Sequence, residues 1–363
     1  MSANNAPRQE GGARVELSDR KLRILQAIID DYVSTSIPVG SRTLSKKPDL
    51  HYSSATIRNE MADLEEMGYL DKPHTSAGRM PSDTAYRLYV DRMMRVGQLD
   101  KADVDFIRTY FDKRVNELSE VLDATAKVIS ETTKQIALVS VPQLTGVSLR
   151  RIQLVKITDT KAMLIIVTDS GLVEDTVITV PVMMDGSQME QLSNRLTAIA
   201  LDVPIEQVSE RIRSVAEGMA HEYRQVMSEV FESIDNSRAK KAMVLDGAQN
   251  IFKFPEYKDI GKAQHFLELL DTKDRLYALL GKTQDFEFSI KIGSENNSAD
   301  LKDMSVVTAT YRVGDKKLGS FGVIGPTRMD YARVLSVLNY VGMSLNEILS
   351  CFLEADHTSP RER

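Results

Sequence analysis

The sequence predicts a mixed α+β chain of two or three domains, on three observations. Its 363 residues are two to three times an ordinary domain, and 42% hydrophobic with 27% charged residues supplies more than one core. Three short helical segments and a hairpin crowd into residues 17–81. Behind them, runs of period two alternate with runs of period 3.6, with strands on both sides of a mostly helical stretch.

The first helix starts at Ser18, an N-cap residue type, and carries Leu22, Leu25, Ile28, Ile29, Tyr32 and Val33 at helical spacing. Pro38 breaks the chain. A short helix over Ser41–Lys47 stops at Pro48. A third helix opens at Ser53-Ser54, turns Ile57, Met61, Leu64 and Met67 inward, and ends at Gly68. Residues 69–81 then read as a β-hairpin with a polar tip at 74–78. Three helices and a hairpin in this order form a winged helix-turn-helix pattern over residues 17–95, preceded by a polar, aperiodic tail at 1–16.

Residues 83–95 read as a helical segment, and Val104–Ile129 as one long amphipathic helix. Strands are expected at Val147–Ile157, Ala162–Thr168 and Leu172–Val180, then helices at Gly186–Leu201 and Ile205–Phe231. Residues 236–285 shift in composition: Phe252, Phe254 and Tyr257 precede an apolar helix around Phe266–Leu280. Strands resume at Phe286–Ile292, Val306–Val313 and Gly319–Ile324, and a helix covers Tyr331–Leu353. The sheet therefore reads as one domain, 101–235 and 286–355, interrupted by an inserted module at 236–285 and followed by a tail at 356–363.

The net charge of −6 disfavours indiscriminate coating of nucleic acid, but not a local basic face. Residues 42–58 hold four basic side chains against one acid, and residues 72–95 hold five against two. With the apolar residues of the third helix turned inward, Ala55, Asn59 and Ala62 point outward, flanked by Thr56 and Arg58. Small residues let a helix sit deep in the major groove, and Asn and Arg pair with adenine and guanine edges. Either Arg58 or Asn59 can be the base reader. Ser53, Ser54 and Thr56 offer hydroxyls and amides to phosphates. Arg42, His74, Thr75 and Arg79 are placed to reach flanking backbone or minor groove. A solvated helical domain that binds protein instead is the competing reading.

Other chemistry is sparse. No apolar run reaches the ~18 residues of a membrane span, and the front of the chain lacks a signal-peptide core, so a cytoplasmic protein without membrane contact is expected. Cys351 stands alone, excluding a disulfide framework or a Cys-rich zinc site. The five histidines are scattered without metal-ligand spacing, so neither metal nor cofactor is expected, and no catalytic constellation emerges. Gly319–Gly325 lacks the spacing of a phosphate loop and reads as a strand entering the turn Gly325-Pro326-Thr327.

Ser53-Ser54-Ala55-Thr56-Ile57-Arg58-Asn59-Glu60-Met61-Ala62-Asp63-Leu64-Glu65, then His74-Thr75-Ser76-Ala77-Gly78-Arg79-Met80-Pro81, resembles the HrcA family of heat-inducible transcription repressors. So does Gly322-Val323-Ile324-Gly325-Pro326-Thr327-Arg328-Met329-Asp330-Tyr331. The resemblance spans about residues 17–355 in consistent order. It implies a winged helix-turn-helix followed by a GAF-like domain with an inserted dimerising domain. It also implies repression of chaperone operons in the heat-shock stress response, through a CIRCE-type inverted-repeat operator in double-stranded DNA, with the chaperonin GroEL promoting the DNA-binding form. No small-molecule ligand is indicated, although a metabolite-sensing regulator remains the alternative within the same class.

An inverted repeat needs a two-fold dimer. Phe111, Leu118 and Leu122 of the long helix, and Phe252, Phe254 and Tyr257 of the inserted module, are either core or pairing surface. Pairing is expected, because so small a module has little core of its own.

Overall fold

The computed structural model describes residues 17–72, 78–111, 118–142, 147–169, 173–182, 184–216, 221–239, 243–280, 288–313 and 316–355. Both expected tails, and His74 and Thr75, lie outside these residues. The architecture mixes helix and antiparallel sheet, and packing divides it into two compact units.

The first unit runs to Arg95 and includes two short returns of the chain, Ile292–Ser294 and Thr327–Tyr331. Helix α1 (Asp19–Thr35) begins where the Ser18 side chain accepts the Lys21 amide, and it buries Ile24, Leu25, Ile28 and Ile29. One turn, α2 (Ser41–Leu44), leads to α3 (Ser54–Glu66), whose Ser53 cap accepts the Thr56 amide at 3.1 Å. Ile57, Met61 and Leu64 face inward as the period requires. Met67 does not: it is the residue at which the helix stops, and it lies exposed. Gly68 then turns left-handed at φ +76°, so that its amide reaches Glu65 and that of Tyr69 reaches Leu64.

Strands β1 (Leu70–Asp71) and β2 (Met80–Pro81) pair antiparallel. Val39, between α1 and α2, joins them by exchanging both backbone hydrogen bonds with Arg79, at 2.8 and 2.9 Å. This third chain of the ribbon has no sequence signal, because a single residue carries no period. A Cβ on Gly78 would stand 2.6 Å from the Pro38 carbonyl oxygen, so the ribbon closes only around a glycine. Helix α4 (Asp83–Leu88), capped by Ser82, passes into a π turn at Tyr89–Met93. The Asp83 carboxylate accepts from the Ser294 amide and hydroxyl, and the Tyr86 and Tyr331 rings lie 6.1 Å apart.

The second unit begins with α5 (Lys101–Phe111) and α6 (Leu118–Thr133). The expected single helix over Val104–Ile129 is two: Lys127 lies 5.7 Å from the centre of the Tyr110 ring, and seventeen residues of one helix would separate them by about 25 Å. Strand β3 (Ile136–Ser140) follows, then β4 (Leu149–Lys156), β5 (Lys161–Thr168) and β6 (Val173–Thr179). Next come α7 (Gly186–Ala200), α8 (Ile205–Ala216) and α9 (His221–Ala239). Here too one expected helix is two packed ones, since Ser209 donates to Asp235 at 2.8 Å and Arg213 lies 4.6 Å over Phe231. The chain continues through β7 (Met243–Asp246), α10 (Ile260–Asp271), α11 (Lys273–Leu280), β8 (Phe288–Ile292), β9 (Met304–Val313), β10 (Lys316–Pro326) and α12 (Tyr331–Ala355).

These strands form two sheets. One has the order β7-β3-β10-β9-β8, antiparallel at β7–β3, β3–β10 and β10–β9. The other is the meander β4-β5-β6, with α7 against β4 and α9 against β6. The expected interruption at 236–285 is therefore misplaced. Residues 243–246 pair with β3 inside the five-stranded sheet, and the segment that separates β3 from β7 in the chain is the three-stranded meander with its helices. Alternation makes a strand but does not name its partner. Within β10, a Cβ on Gly322 would strike the Val307 carbonyl, so the glycine pattern at 319–325 serves strand packing.

Candidate nucleic-acid interface

The candidate surface is the outer side of α3 with α2 and the base of the ribbon. Ile57, Met61 and Leu64 set the rotation of α3, which leaves Ala55, Arg58, Asn59 and Ala62 exposed. Arg42 is exposed on α2. The hydroxyls at the start of α3 are already engaged: Ser53 Oγ lies 2.9 Å from Thr56 Oγ1, and Ser54 Oγ lies 3.2 Å from Ser41 Oγ. A hydroxyl keeps further acceptor capacity, so this does not close them to a phosphate or water.

Arg79 departs from its expected orientation. Its Nε donates to Glu65 at 2.6 Å, and a terminal nitrogen donates to the Gly78 carbonyl at 3.3 Å. On the α1 side, Lys21 meets Glu60 at 2.5 Å and Asp63 at 2.7 Å, and Arg20 reaches Glu60 at 3.3 Å. Hydrogen bonds to Asp63 and Glu60 raise the Lys21 pKa above the ordinary value of 10.5. The sequence reading missed Arg20 and Lys21, because their partners lie about forty residues away. The signal available was the run of acids on α3 with a single base among them.

The expected pairing residues scatter. Phe254 and Tyr257 are buried in one cluster with Ile136 and Leu138 of β3, Phe266 and Ile324. Their aromatic patch is core of the five-stranded sheet, which corrects the expectation that it is a pairing surface. Leu122 is buried, and Phe111 and Leu118 are half-buried, so of the six only Phe252 is largely exposed. A mixed face with exposed valines lies elsewhere, on the side of the meander away from its buried Leu154, Leu164 and Ile178, with Gln153, Ile165 and Asp175 as its middle row. Val155, Met163 and Val177 form one cross-strand row there, and Arg151, Val167 and Val173 another. The three outer valines, Val155, Val173 and Val177, are exposed.

A cavity of about 520 Å³ in the first unit is bordered by Leu22, Gln26, Asp30, Lys47, Leu50 and Met93 and includes none of the outward residues of α3. Among the described residues there is no group of three or more potential metal ligands, and no helix long and apolar enough to cross a membrane.

The model of the HrcA protein C terminal domain matches residues 119–335. A heat-inducible transcription repressor HrcA of Ruminiclostridium cellulolyticum is 41% identical over 341 residues, covering 91% of this chain and 97% of that protein. One from Brevibacillus brevis is 38% identical over 340 residues, covering 93% and 99%. A crystal structure of a hypothetical protein at 2.2 Å resolution matches with a TM-score of 0.64 and 23% identity, over 92% of this chain and 99% of that one, which shows a shared fold. The two named relatives are transcription repressors, not enzymes. At such identity over nine-tenths of its length, this chain belongs to the HrcA family of heat-inducible transcription repressors.

Proposed function

We propose that the chain represses heat-shock chaperone operons from the cytoplasm, binding a CIRCE-type inverted-repeat operator as a homodimer. In this reading the first unit is a winged helix-turn-helix, and α3 of each subunit enters one major groove. The five-stranded sheet with its helices is the GAF-like domain, and the meander with α7–α9 is the inserted dimerising domain. The observation that carries the reading is the outer side of α3: small residues at 55 and 62 beside exposed Arg58 and Asn59, the side chains suited to guanine and adenine edges. Arg42, Ser53, Ser54, Thr56, His74 and Thr75 complete the proposed contacts. The exposed valines on the meander offer the pairing surface that Phe254 and Tyr257 do not, since clustered apolar residues on an open sheet face mark a site of association. The GroEL part of the proposal rests on the family resemblance alone.

A gel-shift titration on an inverted-repeat fragment and a scrambled one, at two salt concentrations and with or without chaperonin, tests this. Preference for the repeat, increased by chaperonin, is expected. Arg58→Ala or Asn59→Ala should lower that preference by about 1–3 kcal/mol for each base edge no longer read. Equal binding to both fragments sinks operator recognition, and release by a small metabolite in place of chaperonin dependence favours the metabolite-sensing alternative.

A further inference from the structure

Helix α3 carries four carboxylates, Glu60, Asp63, Glu65 and Glu66, and one base, Arg58. A helix of that balance is repelled by the phosphates on either side of a groove. Three of the four carboxylates are held inside the unit. Lys21 takes Glu60 and Asp63, with Arg20 beside it, and Arg79 takes Glu65. The two central cations are themselves sheltered: the side chains of Lys21 and Arg79 are 14% and 19% exposed, whereas Arg42 and Arg58 stand in solvent. The Arg79 backbone is also fixed, by both hydrogen bonds to Val39 and by the tight approach of Gly78 to Pro38.

We propose that Lys21 and Arg79 are positioning residues for DNA binding, which neutralise the acidic flanks of α3, locking one to α1 and the other to the ribbon, without touching DNA themselves. The proposal rests on the DNA-binding reading above and reassigns Arg79 from phosphate contact to clasp. It follows that binding depends on the balance of each pair and not on its cation alone. Removing the cation leaves an uncompensated carboxylate beside the DNA, and removing both partners leaves neither repulsion nor an unpaired charge.

The test is a double-mutant cycle in the full chain: Arg79→Gln, Glu65→Gln, and both. Each is titrated against the inverted-repeat and scrambled fragments and unfolded thermally. Arg79→Gln should weaken binding to both fragments by about tenfold, and adding Glu65→Gln should restore it to within about twofold. If Arg79 grips a phosphate, the double variant stays as weak as Arg79→Gln, and the proposal is overturned. In thermal unfolding the double variant should be less destabilised than the two single variants together. Simple additivity there also overturns the clasp. If the unmodified chain shows no preference for the inverted repeat, the DNA-binding reading fails, and the thermal cycle still decides the clasp. Lys21→Met, rescued by Glu60→Gln with Asp63→Asn, is the matching expectation on the α1 side.

Discussion

In the first unit, short elements are tied by individual polar contacts: Lys21 to Glu60 and Asp63, Arg79 to Glu65, Ser82 to the Gly68 carbonyl, Asp83 to Ser294. In the five-stranded sheet, apolar residues do most of this work. Phe321 is fully buried and a Cβ on Gly342 of α12 would come within 3.2 Å of it, and the opposite cluster joins Ile136, Met304 and Ile324 to Phe254 and Phe266. The difference follows from size. Two-residue strands and a one-turn helix bury little area beyond the small core of α1 and α3, so their orientation depends on directional contacts as well. Long strands under helices bury enough that no single polar pair is needed. Under the proposed function it also suits the two regions to different tasks, because a surface offered to DNA must stay polar, whereas a sheet core need not.

The comparison can be broken most directly in the cores. Phe321→Ala should cost about 3–5 kcal/mol and Leu64→Ala about 2–5 kcal/mol, read from denaturant unfolding. If the Phe321 change cost less than about 1 kcal/mol, the ring would not be acting as a core residue. A smaller effect is expected at the start of α3. Ser53→Ala removes the bond to the Thr56 amide and should cost about 1 kcal/mol of stability in the first unit, with no effect of that size from a serine outside a cap.

The smallest effect is the most specific to the polar unit. The Lys21 pKa is raised in the folded state, so its ion pairs contribute fully below pH 10.5, and that contribution is lost as pH climbs through the higher folded value. Stability of the unmodified chain should therefore fall more steeply above pH 10.5 than that of Lys21→Met. Identical alkaline limbs would mean that the Lys21 pairs add nothing to folding.

The sequence was most legible where the deciding chemistry is local. Ser18 and Ser53 start helices, Gly68 ends one, and the spacing of Ile57, Met61 and Leu64 is enough to turn Arg58 and Asn59 outward. It was least legible where partners are remote. The Arg79–Glu65 pair is missed by any reading of the hairpin alone. That α5 and α6, and α8 and α9, are separate helices packed on each other shows only in contacts between residues far apart in the chain.

By itself, then, the sequence determined where most helical and strand segments lie, the outward residues of α3 and, through motifs spread along the chain, its family, but not where Val104–Ile129 and Ile205–Phe231 each divide into two helices. Tertiary structure decided which strands share a sheet, so that Met243–Asp246 lies beside Ile136–Ser140 and the meander stands apart. It also decided that Phe254 and Tyr257 are core and that Arg79 faces a carboxylate. The reason is physical: a cap or a period is encoded within a few residues, whereas strand partners and ion pairs are chosen among groups that only folding brings together.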